Sequence, residues 1–547
     1  MTQASATASS RPFGQIEGAY AEIRPIRSGF IEFDGLFSDV AISPQEQDIR
    51  ILVGRMGTGK SINLRRLQDH HIQELEDGDR SVYTAGYSQQ AATALTTINV
   101  RYFSQAFGRN DLTEMWKLLW RRAIFRAAVS HLLNAEAMIP YTETADIPIL
   151  RSAHPLLSDQ GTPTDIASEA QMIIESVRQV HPRAQRDRTQ HALLSFLQAG
   201  DWTRIEHEVL KVLSNCPPMY FYIDAVDDEF RAAPSYWLRS QKGLFYQIYT
   251  MLRDDRWRER LHIIAAVRHH VLSSVYSAEG GHKYLNENHH RVLKWTRDAI
   301  GYFLDRKIAD LDGEWLMAPQ ASTPIARWLG MPSIQNEDRG VVERLDDYLI
   351  RHTRATPRDI VQMGNQLSQY VRQLKAGGYR EADPVRVREI VSGCARDAAQ
   401  FELNHCGNQI NTDLGRNLDD TERYRGEQEF PYNETTANLR HLLVEMRHDR
   451  FEWNDVDALR RRGRDAFASA DLDLPTILWQ NGLLGYADRP IEESAQRRCH
   501  FYVEPTVGSA VIPEGRTSYV LHPIVLDCIP ELEPIGPPIE PILSSEG

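Results

Sequence analysis

The stretch DIRILVGRMGTGKS, residues 48–61, decides the fold class of this chain. Its last eight residues fit the pattern G-x-x-x-x-G-K-S/T, in which glycines let several backbone N–H groups converge on one phosphate. The apolar residues before them predict a strand, and residues 61–75 predict a helix whose N-terminus faces the anion. Strand, loop and helix in this order indicate the phosphate-binding loop (P-loop) of a nucleoside triphosphatase.

The loop also predicts which residues bind the nucleotide and its metal ion. Lys60 is expected to place its charge on the β- and γ-phosphate oxygens, and the Ser61 hydroxyl to ligate Mg²⁺. ATP and Mg²⁺ are therefore the expected cofactors. The residues expected to bind the nucleotide are Gly54, Gly57, Thr58, Gly59, Lys60, Ser61 and Ile62.

A second acidic element follows a different apolar stretch. Residues 219–223 predict a buried strand that ends at Asp224, and ligands of open α/β sheets bind at the carboxyl ends of strands. We expect Asp224 to hold Mg²⁺ through water. Asp227, Asp228 and Glu229 follow, and one of them is expected to orient the attacking water. The sequence leaves open which one does so.

Three arginines near predicted strand or helix ends are candidates for contacts with phosphate oxygens, because guanidinium forks suit phosphate. Arg268 directly follows the predicted strand 261–267, where it could sense the γ-phosphate. Arg291 directly precedes a predicted strand at 292–295. Arg358 lies at a predicted helix start that has proline at its first position. In a chain this rich in arginine, such positions also arise by chance.

Composition excludes several classes of protein. A net charge of −13 argues against non-specific coating of nucleic acid or an anionic membrane. No apolar run approaches the length of a membrane span, and residues 1–11 lack the apolar segment of a secretory signal. The 5 cysteines are widely spaced, which favours a reducing cytoplasm. The paired histidines lack metal-ligand spacing and are expected to be ordinary surface or core residues.

The expected fold is α/β, with a parallel sheet core, a helical lid and a C-terminal winged helix. Residues 1–15 and the proline-rich tail are expected to be disordered, and residues 26–40 lean towards β-structure. Strands are also expected at 48–53, 81–85, 261–267 and 292–295. The predicted divisions are an N-terminal segment at 1–46, the core at 47–310 with an insertion at about 138–201, the lid at 311–410, a linker at 411–430, the winged helix at 431–530 and the tail at 531–547.

The C-terminal unit predicts three helices followed by strands, the layout of a winged helix. The helices are expected at 433–447, 455–467 and 474–482, and the strands at 483–486, 500–503 and 519–521. Residues 430–528 contain 11 arginines, no lysine and 15 acidic residues, a net charge of −4. The third helix has no basic residue, although readers of DNA must neutralise phosphates. The basic cluster at Arg460–Arg462 and Arg464 favours a salt-bridged, solvated helix face, so DNA binding is possible but not favoured.

Together, the P-loop, the strand ending in DAVDD, the strand ending in VR and the TPRD helix start resemble the STAND and origin-recognition-like initiator ATPases of the AAA+ kind. The nearest resemblance is to bacterial P-loop ATPases of conflict and phage defence. It covers residues 48–405, and the C-terminal unit extends it. The resemblance implies Walker B and catalytic roles for Asp224, Asp227 and Asp228. It also implies sensor 1 for Arg268, sensor 2 for Arg358 and an intersubunit finger for Arg291.

The function expected is an ATP-hydrolysing switch that controls self-assembly or a separate effector protein, in the setting of phage defence that the resemblance implies. A homo-oligomer without membrane contact is expected. The first alternative is an initiator or loader ATPase that grips DNA through the winged helix. The second is a nucleotide-dependent scaffold with little hydrolysis. Salt-dependent DNA affinity would favour the loader, and tight ATP binding with low turnover would favour the scaffold.

Overall fold

The chain folds into an α/β core, a lid and a C-terminal unit. The computed structural model describes residues 11–16, 31, 49–76, 83–85, 113–143, 145–153, 163–180, 194–195, 197, 201–224, 234–278, 281–284, 287–337, 339–414, 431–487, 498–501, 511–535 and 538–542. The predicted β-leaning segment at 26–40 lies outside the described residues except for Ile31, and so do residues 415–430 of the predicted linker.

The core contains a five-stranded parallel sheet in the order β2-β3-β4-β1-β5. Its strands are β1 (Ile51–Gly54), β2 (Tyr83–Thr84), β3 (Met219–Ile223), β4 (Leu261–Arg268) and β5 (His290–Val292). The three central strands, β3, β4 and β1, are apolar and mostly buried, as expected for a parallel sheet covered on both faces. The predicted P-loop NTPase fold class is confirmed, with β4 between the P-loop strand β1 and the strand β3 that Asp224 follows.

Helices cover the sheet, and some of them belong to the predicted insertion. They are α1 (Lys60–Glu76), α2 (Thr113–Asn134), α3 (Ile147–Ala153), α4 (Ile166–Val180), α5 (Asp201–Ser214), α6 (Pro234–Leu252), α7 (Asp255–Arg258) and α8 (His269–Tyr276). Most of α2 is buried in the hydrophobic cluster that also holds Ile51 and Phe221. Leu150 of α3 and Ile173 of α4 belong to the same cluster. The described parts of the segment predicted as an insertion therefore pack onto the core.

The lid contains helices and one hairpin. It consists of α9 (Arg297–Ala309), α10 (Pro324–Leu329), β6 (Ser333–Asn336), β7 (Val341–Arg344), α11 (Leu345–Arg351), α12 (Pro357–Ala376) and α13 (Pro384–Asp413). The helical lid also contains a hairpin that the sequence did not predict, because β6 and β7 pair antiparallel. Side chains of β6 alternate between exposed and buried, the period of a half-covered strand. Helix α13 also continues past residue 410, the predicted end of the lid, into the start of the predicted linker.

The C-terminal unit has the element order expected of a winged helix, with additions. It consists of α14 (Pro431–Val444), β8 (Arg450–Phe451), α15 (Trp453–Phe467), α16 (Leu474–Gln480), β9 (Leu484–Ala487), β10 (Arg498–Phe501), β11 (Ser518–Leu521), α17 (Pro523–Cys528) and β12 (Glu540–Ile542). The sheet order is β12-β10-β9-β11-β8. Strand β12 pairs parallel with β10 and lies in the tail that composition predicts to be disordered. That part of the tail is thus an ordered sheet edge.

The lid and the C-terminal unit share their hydrophobic packing. Val387 of α13 lies in one buried cluster with Phe501 and Val520 of the C-terminal sheet. Further along α13, Leu403 lies in a second cluster with Ile524. Polar contacts add to this packing, because Arg339 of the β6–β7 turn donates to Asp449 and Ser392 of α13 donates to Asp527. These two units form one packed body, called the lid body below.

The N-terminal segment includes an anchor that the sequence did not predict. The Phe13 ring is 1% exposed and lies 4.9 Å from the Trp328 ring, centroid to centroid. Its N–H donates to Asn365 Oδ1 over 2.9 Å, and Asn365 Nδ2 donates to the Gly14 carbonyl over 3.0 Å. The expectation of disorder was therefore wrong for residues 11–15. These residues dock on α12 of the lid, although they precede the core in the chain.

Other composition-based expectations concern membranes, metals and cysteines. Among the described helices, none is both long and apolar enough to cross a membrane. No group of three or more His, Cys, Asp or Glu residues in the described ranges could hold a metal ion. The cysteines Cys216, Cys394, Cys406, Cys499 and Cys528 are buried free thiols. Burial raises the pKa of Cys216 to about 11 and that of Cys499 to about 12, so these thiols stay protonated at neutral pH.

Candidate functional site

The predicted P-loop lies between β1 and α1. Gly57 and Gly59 have φ angles of 86° and 94°, values that favour glycine. A Cβ on Gly54 would lie 2.4 Å from Thr58 Oγ1, and one on Gly59 would lie 3.3 Å from Ile62 Cγ2. The three predicted glycine positions therefore have local reasons to be glycine.

The amine of Lys60 lies inside the loop. It donates to the carbonyl oxygens of Gly54 and Arg55 over 3.0 and 2.9 Å, and the residue is 6% exposed. Ser61 follows as the second residue of α1 and is half-buried. Lys60 and Ser61 thus stand at the N-terminus of a 17-residue helix, where the helix dipole and backbone N–H groups favour an anion.

Two contacts fix the shape of the loop, and one of them was missed in the sequence. Thr58 Oγ1 donates to the Arg55 carbonyl over 2.8 Å. The indole Nε1 of Trp295 donates to the Thr58 carbonyl over 2.9 Å. The sequence predicted Trp295 to be part of a strand, but β5 ends at Val292 and the indole turns back onto the loop. No local signal in the sequence connects this tryptophan with the loop.

Asp224 directly follows β3 at the same edge of the sheet as the loop. Ile223, Ala265 and Ile51 lie in one row across β3, β4 and β1. Asp224 is therefore one residue nearer the carboxyl edge, two strand spacings or about 10 Å from β1. The sequence predicted the metal ligand at this carboxyl edge of the sheet. Asp227, Asp228 and Glu229, the candidates for orienting water, lie outside the described residues.

Arg268 and Arg358 both reach the loop, from different units. Arg268 is the last residue of β4, in register with Gly54, and its Nη2 lies 3.7 Å from Met56 Sδ. The backbone N–H of Arg358 donates to the Gly57 carbonyl over 3.3 Å. A Cβ on Gly57 would lie 2.9 Å from Arg358 Cβ, so the start of α12 packs directly on the loop. The structure brings two of the three predicted arginines to the P-loop.

The third predicted arginine has a different position from the one expected. Arg291 lies inside β5 and not before the strand, because β5 begins at His290. It is in register with Leu52 of β1, two residues before Gly54. The His290 ring contacts Tyr249 and Tyr276, and side chains alternate along a strand, so Arg291 faces the opposite side of the sheet. Arg291 is half-buried on the edge strand.

A buried ion-pair network beside the loop was also missed. Arg55, the second residue of the loop motif, lies 3.6 Å from the Glu402 carboxylate of α13. The same carboxylate accepts from Arg354 over 3.0 Å, and Arg354 donates to Asp359 over 2.9 Å. Burial disfavours these charges, yet Arg354 holds the pKa of Asp359 below its ordinary value. The network connects the loop to α13 through Glu402 and to the start of α12 through Asp359.

His269 and His270 beside the loop are neutral, so the positive charge there comes from lysine and arginine. His269 and His270 begin α8 directly after Arg268. Burial, together with nearby cationic residues, lowers the pKa of His270 to about 3 and that of His269 well below its ordinary value. The site thus combines Lys60 with several arginines and the two acids of the network. Such an excess of positive charge at a helix N-terminus suits a polyphosphate.

Comparisons with known proteins give one structural similarity. The chain matches no protein-family model and no curated protein sequence. It is similar to the ORC2 protein of Aeropyrum pernix, whose structure was solved as ADPNP-ADP complexes. The two chains are 13% identical, the similarity covers 82% of this chain and 93% of that one, and the TM-score is 0.27. No comparison supports the defence-associated kind of ATPase that the sequence resembles.

Proposed function

We propose that this chain binds ATP with Mg²⁺ at residues 54–61 and hydrolyses it as a cytoplasmic conformational switch. The observation that carries the proposal is the Lys60 amine inside a loop with positive-φ glycines, directly before a long helix. Lysine at this position supplies charge to the β- and γ-phosphates, and the loop N–H groups supply hydrogen bonds. The Arg268 guanidinium at the same loop, and the start of α12 at Arg358 that packs on it, support a triphosphate as the ligand.

The residues present also fit a magnesium ion. The Ser61 hydroxyl and the Asp224 carboxylate are the hard oxygen donors that Mg²⁺ prefers. When bound, Mg²⁺ would neutralise charge on the phosphate oxygens. In this proposal one of Asp227, Asp228 and Glu229 orients the attacking water.

The lid body gives the switch its moving part. It meets the P-loop side of the core through Arg358 at Gly57, and through residues of α13 and the α16–β9 junction at Arg55 and Arg268. ATP at the loop would set the position of the lid body, and hydrolysis would release it. Its position would control self-assembly, or a separate effector protein. Arg291 would reach the site of a neighbouring subunit in the homo-oligomer.

The two alternatives differ in what they require of the molecule. A loader would need a basic DNA-binding face, but most of α16 is buried and Arg460 is paired with Asp457 and Asp473. A scaffold would bind ATP at the same loop with little turnover. The setting of phage defence comes only from the sequence resemblance, and the proposal does not depend on it.

Nucleotide binding and phosphate release by the purified chain test the proposal. Lys60→Ala should abolish hydrolysis and weaken ATP binding at least tenfold, because the phosphate charge loses its partner. Lys211→Ala is the matched control, since Lys211 is an exposed lysine that pairs with Glu208. Equal turnover in wild type and Lys60→Ala would refute the proposal. ATP binding that depends on Lys60 without measurable turnover would favour the scaffold.

A further inference from the structure

Helix α13 contacts two arginines at the P-loop, Arg55 within the loop and Arg268 beside it. Its residues Glu402 and His405 are three positions apart and therefore lie on one face of the helix. Glu402 lies 3.6 Å from Arg55, which belongs to the loop. His405 has both ring nitrogens 3.0 Å from Nη1 of Arg268. We call Glu402 and His405 the α13 clasp.

The chemistry of the clasp resembles that of a phosphate. Glu402 offers carboxylate oxygens, and a neutral His405 offers one ring nitrogen as an acceptor. A guanidinium can only donate, so the Arg268 contact requires that neutral ring. Phosphate oxygens are also anionic acceptors, and they bind guanidinium groups strongly. The clasp therefore occupies donors that a triphosphate would also bind.

Arg268 is positioned so that His405 and a phosphate at the loop would share the donors of its Nη1. It is 3% exposed, in register with Gly54, and its Nη2 already lies against Met56 of the loop. Turning Nη1 towards a phosphate at the loop would break its contact with His405. Helix α13 is packed into both hydrophobic clusters of the lid body. The release of His405 would therefore change the position of the whole lid body.

We propose that Glu402 and His405 are positioning residues that compete with the γ-phosphate of ATP for Arg268 and Arg55. ATP then binds at the cost of opening the clasp, whereas ADP, which lacks the γ-phosphate, leaves it closed. The clasp thereby sets the preference between the two nucleotides. It also couples the presence of the γ-phosphate to the position of the lid body. This inference rests on the proposed binding of ATP at the loop.

The test compares the affinities of the full chain for ADP and for a non-hydrolysable ATP analogue by calorimetry. His405→Leu should raise the ratio of Kd for ADP to Kd for the analogue about tenfold, equivalent to about 1.4 kcal/mol. His405→Gln keeps a neutral acceptor for Arg268 and should restore a ratio close to that of wild type. Glu402→Gln keeps the shape but loses the charge, so the ratio should rise here too. Asn404→Ala is the control, a neighbour on α13 that bonds the Gln400 side chain.

The outcomes separate the two proposals. If wild type binds neither nucleotide in a manner that depends on Lys60, the proposed function fails. If binding depends on Lys60 but no clasp variant changes the ratio, the clasp proposal fails alone. A general loss of folding would weaken both affinities together and leave the ratio unchanged. A ratio that falls in His405→Leu would mean that His405 orients Arg268 towards ATP, which also overturns the competition.

Discussion

The guanidinium of Arg55 donates a hydrogen bond to the backbone carbonyl of Asn481, 2.7 Å away and 426 positions further along the chain. The neighbouring Gly482 has a φ of 68°, and a Cβ there would lie 2.6 Å from Arg55 Nη1. The end of α16 and the P-loop are thus in direct contact. Arg55 is one of the four positions that the motif leaves unspecified, and its side chain reaches the C-terminal unit.

Replacing Arg55 with methionine should loosen the C-terminal unit from the core. Hydrogen bonds to charged groups contribute about 1.5–3 kcal/mol, and the change also removes a partner of Glu402. Amide hydrogen exchange in residues 478–484 should therefore become faster by about tenfold or more. Arg461→Met is the control, because that side chain is 70% exposed. Unchanged exchange in the Arg55 variant would show that this contact does not hold the unit in place.

The sequence predicted the chemistry of the loop but not what covers it. A P-loop is a local pattern, in which spacing alone specifies the glycines, the lysine and the following helix. The glycines, Lys60 and α1 have the positions that this pattern predicts. Arg55, the pair Glu402 and His405, and Asn481 lie in three distant parts of the chain, and nothing local marks them as partners. The β6–β7 hairpin was missed because its strands have four residues each, too few for their alternation to outweigh the helical patterns around them.

Adding one methyl group at Gly57 should push the lid off the loop. Gly57 has a φ of 86°, and its Cβ would lie 2.9 Å from Arg358 Cβ and from Thr356 Oγ1. Gly378 has a φ of 78°, and a Cβ added there would have no heavy atom within 4 Å, so Gly378→Ala introduces the backbone strain alone. We expect Gly57→Ala to lose a further 1–3 kcal/mol, roughly, through overpacking, seen as a lower Tm.

Nucleotide affinity gives a second comparison of the Gly57→Ala and Gly378→Ala variants. Gly57→Ala should weaken ATP binding at least tenfold, whereas Gly378→Ala should leave it unchanged. Equal effects of the two variants on Tm and on affinity would mean that contact between lid and loop is not the cause.

Buried histidines should make the fold less stable at mildly acidic pH. His290 accepts or donates at both ring nitrogens, 2.6 Å from the Tyr249 hydroxyl and 2.9 Å from that of Tyr276. Burial lowers its pKa to about 4, as it does for His71 and His131. Between pH 6.5 and about 4 the unfolded chain binds protons that the folded chain excludes. Stability is therefore full above pH 6.5 and falls as the pH drops towards 4.

The contribution of His290 can be isolated by substitution. Each such histidine contributes a slope of about 1.4 kcal/mol per pH unit within that window. His290→Gln should make the decline of Tm between pH 6.5 and 5 shallower than in wild type. His441→Gln should not, since the His441 side chain is 75% exposed. Parallel curves for wild type and His290→Gln would contradict the assignment.

Arg291 should act in a neighbouring subunit. It lies on the edge strand of the core sheet, and its own side chain faces away from the α6 side. Arg291→Ala should bind ATP normally but hydrolyse it up to about 10³-fold more slowly in the assembled form. Arg253→Ala, which removes an arginine paired with Glu287, should keep its activity. Mixing Arg291→Ala with Lys60→Ala should restore part of the turnover, since each supplies what the other lacks. No recovery, with a monomeric protein at every ATP concentration, would exclude a shared site.

Duplex DNA should bind weakly to the full chain, because the basic cluster of α15 is already paired. Arg460 donates to Asp457 and Asp473, each over 3.0 Å. Arg461 lies 3.6 Å from Asp457, and Arg462 lies 3.3 Å from Glu445. Phosphate contacts would have to replace these pairs before counterion release could contribute to affinity. The C-terminal unit shares its core with α13, so the full chain is the suitable material.

The measurement is a titration with duplex DNA at about 150 mM salt, where exposed charges more than about 8 Å apart are largely screened. The triple variant with alanine at Arg460, Arg461 and Arg462 should change an already weak affinity by less than a factor of about three. The control is a triple variant with alanine at three exposed arginines, Arg253, Arg256 and Arg386, and the same small change is expected of it. The two triple variants lose the same charge, so a difference between them reports the α15 face itself. Submicromolar binding that collapses only in the α15 variant would reverse the prediction. It would show that the pairs with Asp457, Asp473 and Glu445 yield to phosphate, and it would favour the DNA loader.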